Sequence, residues 1–258
     1  MRRIRIGVCT HADVFLQNNR KAIFATIDVL LFPELLDGGY AALHNGKPPH
    51  TFNDDFVSTF RSTSKRFSAT VIAGSTFLRH NTHRPTNTSL VFARGRVVHS
   101  YDKIHLFTPA GDAMFFERGA LKARHFQMHV GTQKIRAGVI ICYDLRFPEL
   151  VRTMAARGIS LLFVPARWPQ SRDEAWQSLL KARAIENQIF VVGCNADDDE
   201  GGFSYAFGPT GNMIFSNRKN KSQHLHSFEI DLNEIPAAKQ LHGNLHDAVF
   251  LRSLLSKR

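Results

Sequence analysis

The stretch Gly138-Val139-Ile140-Ile141-Cys142-Tyr143-Asp144-Leu145-Arg146-Phe147-Pro148-Glu149-Leu150 places one cysteine between a buried strand and a helix. Gly138 to Ile141 is short, apolar and rich in β-branched residues, which suits a strand covered on both faces. Pro148 suits a first helical position, because its missing N–H costs nothing there and its φ is already helical. The spacing of Leu150, Val151, Met154 and Ala155 predicts a helix that stops near Gly158, and the apolar run Ile159 to Val164 reads as the next strand. Cys142 then occupies the turn at the carboxyl end of a strand, where α/β sheets keep their ligand sites. Taken alone, an unpaired cysteine in such a place is more often a buried structural thiol.

Working outward, the same pattern recurs. Met1 to Val8 reads as a first strand, Val14 to Thr26 as a short helix and Asp28 to Phe32 as a second strand that runs into Pro33-Glu34. Ala41 to Thr51 is expected near the mouth of any pocket. A helix over 56–67 leads to a strand over 69–74, and Arg94-Gly95 joins two strands as a hairpin whose second arm delivers Lys103. A further hairpin through Gly131 leads to Cys142. Past Val164, the pattern predicts a helix over 172–186 and a strand over 189–194. A hairpin around Gly208-Pro209-Thr210-Gly211 follows, and then a last strand in which His224, His226, Phe228, Ile230 and Leu232 share a face. The acidic run Asp197 to Glu200 lacks the spacing of a calcium loop and reads as a solvated turn. No linker or repeat divides residues 1–258, which are expected to form one domain.

Composition narrows the classes. An apolar fraction of 43% is enough for a sizeable core, and no apolar run reaches the roughly 20 residues that span a bilayer. Three cysteines, odd in number and far apart, offer neither a disulfide framework nor a zinc site, which predicts a reducing cytoplasmic setting. Lys and Arg total 33 against 22 acids, a net charge of +11. The basic residues are scattered and no nucleic-acid motif accompanies them, so the charge reads as a solvated surface.

A thiol nucleophile needs a base for its proton and a cation or aligned donors for the oxyanion it creates. Glu34, Lys103 and Cys142 each follow an apolar strand and supply those functions. Singly, each has a plain reading as a loop charge, a surface cation or a core thiol.

In their local wording, however, the three stretches resemble the nitrilase, or carbon–nitrogen hydrolase, superfamily. Leu-Phe-Pro-Glu-Leu at 31–35 is similar to the family's glutamate motif, Tyr-Asp-Lys-Ile-His-Leu-Phe at 101–107 to its lysine motif, and Cys-Tyr-Asp-Leu-Arg-Phe-Pro-Glu-Leu at 142–150 to its cysteine motif. Lys181 to Gln188 is similar to a further family signature. Trp168-Pro169, Trp176 and the Tyr-Asp-Lys wording look most like the omega-amidase group.

The resemblance implies an α-β-β-α sandwich that pairs into a homodimer or larger even assembly, with no cofactor and no metal. It implies hydrolysis of a small linear amide through a thioester, with deaminated-glutathione amidase, N-carbamoyl amidase and nitrilase as alternatives, and a binding protein of the same fold as the rival class. Glu34 is the implied base, because Glu149 sits in a first helical turn where the dipole accounts for it. Lys103 and the Tyr143 N–H are the implied oxyanion donors, and Glu117 resembles the family's additional glutamate, which supports the lysine and the substrate. The segment before Glu34 is short for the family. Arg167 stands where relatives often carry asparagine and, with Trp168, is assigned to the substrate side. It either grips a substrate carboxylate or pairs with an acid such as Asp173 or Glu174.

Overall fold

A computed structural model describes residues 3–11, 26–36, 38–44, 54–78 and 84–249. The helix expected over 14–26 and most of the pocket-edge segment expected over 41–51 lie outside the described residues. Two six-stranded sheets form the centre. The first contains β1 (Arg3–Cys9), β2 (Val29–Leu31), β3 (Thr70–Leu78), β4 (Thr86–Ala93), β5 (Arg96–Asp102) and, on its far edge, β12 (Leu225–Asp231), in the order β12-β1-β2-β3-β4-β5. The second contains β6 (Phe126–Val130), β7 (Gln133–Val139), β8 (Leu161–Ala166), β9 (Phe190–Asn195), β10 (Tyr205–Phe207) and β11 (Met213–Ser216), stacked in reverse order from β11 to β6. Six helices accompany them among the described residues: α1 (Gly39–His44), α2 (Asp54–Arg66), α3 (Asp112–Phe115), α4 (Pro148–Ala156), α5 (Asp173–Asn187) and α6 (Glu234–Leu241).

The two-residue period of the strands sorts their side chains between layers. In the first sheet Ile4, Ile6, Val8, Val29, Leu31, Ile72 and Val91 join the core shared with the second sheet. Their neighbours Cys9, Leu30, Val71, Ala73 and Phe92 join a separate cluster under α2, where Phe60 lies 4.9 Å from Phe32, ring centroid to ring centroid. On the second sheet, α5 covers β9: a Cβ at Gly193 would meet Trp176 and Leu180 within 2.7 Å. Helix α4 lies beside it, with Met154 against Gly138 of β7. The layers are therefore helix, sheet, sheet, helix, the sandwich that the resemblance implies. Helix α6 is not anticipated from the sequence; Pro236 falls in its first turn, the one part of a helix that tolerates proline. No helix among the described residues is long and apolar enough to cross a membrane.

Strand direction decides where chemistry gathers. β1, β2 and β3 are parallel, and β4 and β5 reverse twice, so β5 runs with β2. In the second sheet β7, β8 and β9 are parallel. Glu34, Lys103, Cys142 and Arg167 all follow carboxyl ends of these strands.

One buried carboxylate ties two of those ends together. Asp144 accepts the Tyr101 hydroxyl at 2.7 Å, the His105 N–H at 2.8 Å and the Ile141 N–H at 3.1 Å, with His105 Nδ1 at 2.8 Å. Tyr101 and His105 flank Lys103, and Ile141 precedes Cys142, so this carboxylate sets the separation of lysine and thiol. Hydrogen bonds to a charged acceptor contribute roughly 1.5–3 kcal/mol each, and donors left buried without a partner cost more than the bond itself. Asp144→Ala is expected to lower the unfolding free energy by about 3 kcal/mol or more in denaturant titrations; a loss below about 1 kcal/mol would show that water replaces the carboxylate.

Candidate active site

Each site residue is held by its local chain. Glu34 follows β2 across the end of β3, where Leu35 N–H donates to Ser75 Oγ at 3.0 Å and Leu36 N–H to the Ser75 carbonyl at 2.9 Å. Gly74 makes that crossing possible, since a Cβ there would lie 1.6 Å from the Pro33 carbonyl oxygen. Lys103 leaves β5 with its N–H on the Asn87 carbonyl at 2.8 Å. Cys142 opens a 3₁₀ turn with φ of 46°, a left-handed value that a side chain adopts at a cost of about 1–3 kcal/mol. The sharp turn puts its Sγ into a cavity at the strand ends.

Glu34 and Lys103 are completely buried and 2.9 Å apart. The ammonium also donates to Asp112 at 2.8 Å and approaches the Tyr40 hydroxyl at 3.3 Å, so its three protons have three partners. Glu34 Oε1 accepts from Lys103, from Asn87 Nδ2 at 2.9 Å and, at 3.5 Å, from Tyr40. Burial disfavours the charge on Lys103, but its neighbours together, Glu34 first and then Tyr40, Cys142 and Asp112, more than offset this; its pKa stands well above the usual lysine value. The Cys142 thiol is pushed up by burial and next by Glu34, partly countered by Lys103. It rests as a neutral thiol beside a carboxylate, 3.7 Å from the Arg167 carbonyl oxygen.

The structure brings Glu34, Lys103 and Cys142 together, and Tyr143 and Trp168 line the same cavity. Glu117 is not among the side-chain partners of Lys103: its backbone pairs with Thr86, and its side chain has no hydrogen-bond or ionic partner among the described residues. The acid on Lys103 is Asp112. Arg167 reaches the cavity but pairs with Asp198 and Glu200 rather than Asp173 or Glu174, and its Nε and Nη2 donate to the carbonyls of Glu34 and Leu35 at 2.9 and 3.1 Å. The expected carboxylate anchor is thus already occupied, and the acidic run 197–200 is more than a solvated turn.

Sequence reasoning missed Asp112, Tyr40, Asn87 and Asn195. The last exchanges two hydrogen bonds with the Trp168 backbone, at 2.8 and 2.9 Å, and so fixes the loop after β8. The cavity holds about 310 Å³ and is lined by Tyr40, Phe107, Cys142, Tyr143 and Trp168 among others, with Arg146 and Arg172 also on its wall. Arg146 stacks 4.8 Å from the Trp168 ring and Arg172 5.4 Å from Phe107, and neither forms an ion pair among the described residues. No group of three or more His, Cys, Asp or Glu side chains suited to a metal ion occurs among the described residues.

Lys103→Met would leave the Glu34 and Asp112 carboxylates buried without their shared cation. Breaking a buried ion pair from one side costs roughly 3–5 kcal/mol, which denaturant titration would read as a loss of that size. A stability within about 1 kcal/mol of wild type would show that the ammonium is not the counter-ion of both acids.

Comparison with known proteins agrees with this geometry. Residues 12–240 match the carbon-nitrogen hydrolase family. The chain is 33% identical to the "Hydrolase in agr operon" of Staphylococcus aureus over 226 residues, 85% of this chain and 84% of that protein. It is 30% identical to the 2-oxoglutaramate amidase of Bacillus subtilis (strain 168) over 228 residues, 86% of this chain and 84% of that one. The fold superposes on the carbon-nitrogen hydrolase of Helicobacter pylori G27 with a TM-score of 0.80, at 20% identity and 98% coverage of both chains. With its glutamate, lysine and cysteine stretches at the ends of two stacked sheets, the chain belongs to the carbon-nitrogen hydrolase family of the nitrilase superfamily.

Proposed function

We propose that the chain is a cysteine-dependent amidohydrolase that cleaves a short linear amide with a carboxylate at its far end, as in 2-oxo acid omega-amides. The observation that carries this reading is a neutral thiol against a buried carboxylate–ammonium pair, in a cavity whose wall bears two arginines that form no ion pair among the described residues.

Glu34 accepts the Cys142 proton as the sulfur bonds to the amide carbon. The carbonyl oxygen takes the negative charge, met by Lys103 and the backbone N–H of Tyr143. Lys103 already spends its three protons, and the 3.3 Å contact to Tyr40 is the longest, so that proton turns to the oxyanion. Protonated Glu34 then gives its proton to the departing nitrogen, the C–N bond breaks and ammonia leaves a thioester. Water, deprotonated by Glu34, attacks the thioester and the C–S bond breaks, returning the thiol and releasing the acid.

Arg146 and Arg172 bind the carboxylate at the far end of the substrate. Each guanidinium spends its face on an aromatic ring, which leaves the N–H edge for a carboxylate to accept two parallel bonds. Two 2-oxo acid amides, one with a free carboxylate and one with that group as a methyl ester, separate anchoring from catalysis. Arg146→Ala and Arg172→Ala are each expected to lower kcat/KM for the acid by about 10-fold or more and to leave the ester nearly unchanged, read as ammonia release. Equal losses on both substrates would contradict the anchor. The proposal extends to a homodimer, which sedimentation equilibrium would show as twice the 29.1 kDa chain mass; a monomer at micromolar concentration would contradict it.

A further inference from the structure

Arg167 lines the cavity, yet each nitrogen of its guanidinium is bonded to the protein itself. Its backbone N–H donates to Glu34 Oε2 at 3.0 Å, while Nε and Nη2 hold the carbonyls of Glu34 and Leu35. Nη1 pairs with Asp198 and, at 3.3 Å, with Glu200. Glu200 in turn accepts the N–H groups of Tyr40 and Ala41 at 2.8 and 2.6 Å, the first turn of α1. The chain of contacts ends on the Tyr40 hydroxyl, which touches Lys103 and Glu34. Packing at the junction is tight: Gly39 has φ of 69°, and a Cβ there would collide with Glu200 Oε2 and come within 2.7 Å of Arg167 Nη1.

We infer that Arg167 is a positioning residue: it fixes Glu34 from one side and, through Glu200, fixes the helix that brings Tyr40 to Lys103 from the other. The inference rests on Glu34 being the base of the proposed reaction. Oε1 of Glu34 already faces three donors, so the Cys142 proton goes to Oε2. Oε2 is the oxygen aimed by the Arg167 N–H, and the guanidinium keeps the backbone of Glu34 and Leu35 from rotating it away. Two acids, Asp198 and Glu200, hold the guanidinium in turn. A lysine offers no planar fork and cannot span both carbonyls and both acids at once. A misplacement of about 1 Å at a reacting group costs on the order of 10² in rate, so loosening this clamp acts on kcat.

The test is kcat and KM of Arg167→Met and Arg167→Lys on the acid amide and its ester, with kcat expressed per active site titrated by stoichiometric Cys142 alkylation. That normalisation removes any loss of folded protein. Arg167→Met is expected to lose about 10-fold to 100-fold in kcat on both substrates alike, with KM within about 3-fold, and Arg167→Lys to recover part of it. A kcat per site within about 3-fold of wild type overturns the inference, as does a loss confined to KM for the acid, which would make Arg167 the carboxylate anchor. If Arg167→Met does not fold, Glu200→Gln keeps the hold on Glu34 and weakens only the link to α1. It is expected to lower kcat by about 3-fold to 10-fold, and an unchanged kcat overturns the link. Glu34→Gln separates the two levels: an active Glu34→Gln sinks the proposed reaction itself, whereas an inactive one beside a fully active Arg167→Met sinks this inference alone.

Discussion

One ammonium with a carboxylate on either side, each within 2.9 Å of it and all three fully removed from water, is the constraint from which the site follows. Taking such charges out of water costs several kcal/mol per ion, and their attraction offsets that only with close geometry and further hydrogen bonds. Those bonds come from Asn87 to Glu34 and from the Phe107 N–H to Asp112, donors on separate strands and loops. β2, β4 and β5 lie in one sheet, whose pairing must bring the carboxyl ends of β2 and β5 to the amino end of β4 before the charges can be buried at all.

The fold was legible in the sequence where burial is periodic. Strands such as β2, β8 and β9 appear as short apolar runs, and α4 and α5 as stripes with helical spacing, because each has a face that must leave water. Helix α6 was not legible, since Pro236 interrupts its pattern and its buried side chains are few. Helices α1 and α3, of six and four residues, were not legible either, being too short to show a helical period; the other helix and strand boundaries differ from the expected ones by a few residues, the scale on which caps and fraying operate.

At the site, Glu34, Lys103 and Cys142 were legible because each closes an apolar strand inside a wording shared with a known family. Their supporters were not. Tyr40, Asn87 and Asp112 are polar residues whose role depends on contacts across 6 to 63 positions of chain, and nothing local marks them. The acid on Lys103 is Asp112 and not the expected Glu117 for this reason: both acids lie between β5 and β6, and Asp112 is the one turned inward, at the start of α3. Arg167 shows the same limit. Its two acids lie more than thirty residues downstream, in a run that reads as solvated because its partner is on another strand end.

The neutral resting state of Cys142 links this architecture to mechanism. Burial and Glu34 hold the proton on sulfur, and in the proposed reaction the nucleophile is made only as that proton moves to the base during attack. Intact-protein mass spectrometry after rapid quenching with a carboxylate-bearing amide tests that account most directly. It predicts an adduct on Cys142 equal in mass to the substrate less ammonia, released by hydroxylamine and absent from an inactive Cys142→Ala. Ammonia release that persists in Cys142→Ala, with no adduct in the wild-type chain during turnover, would contradict it.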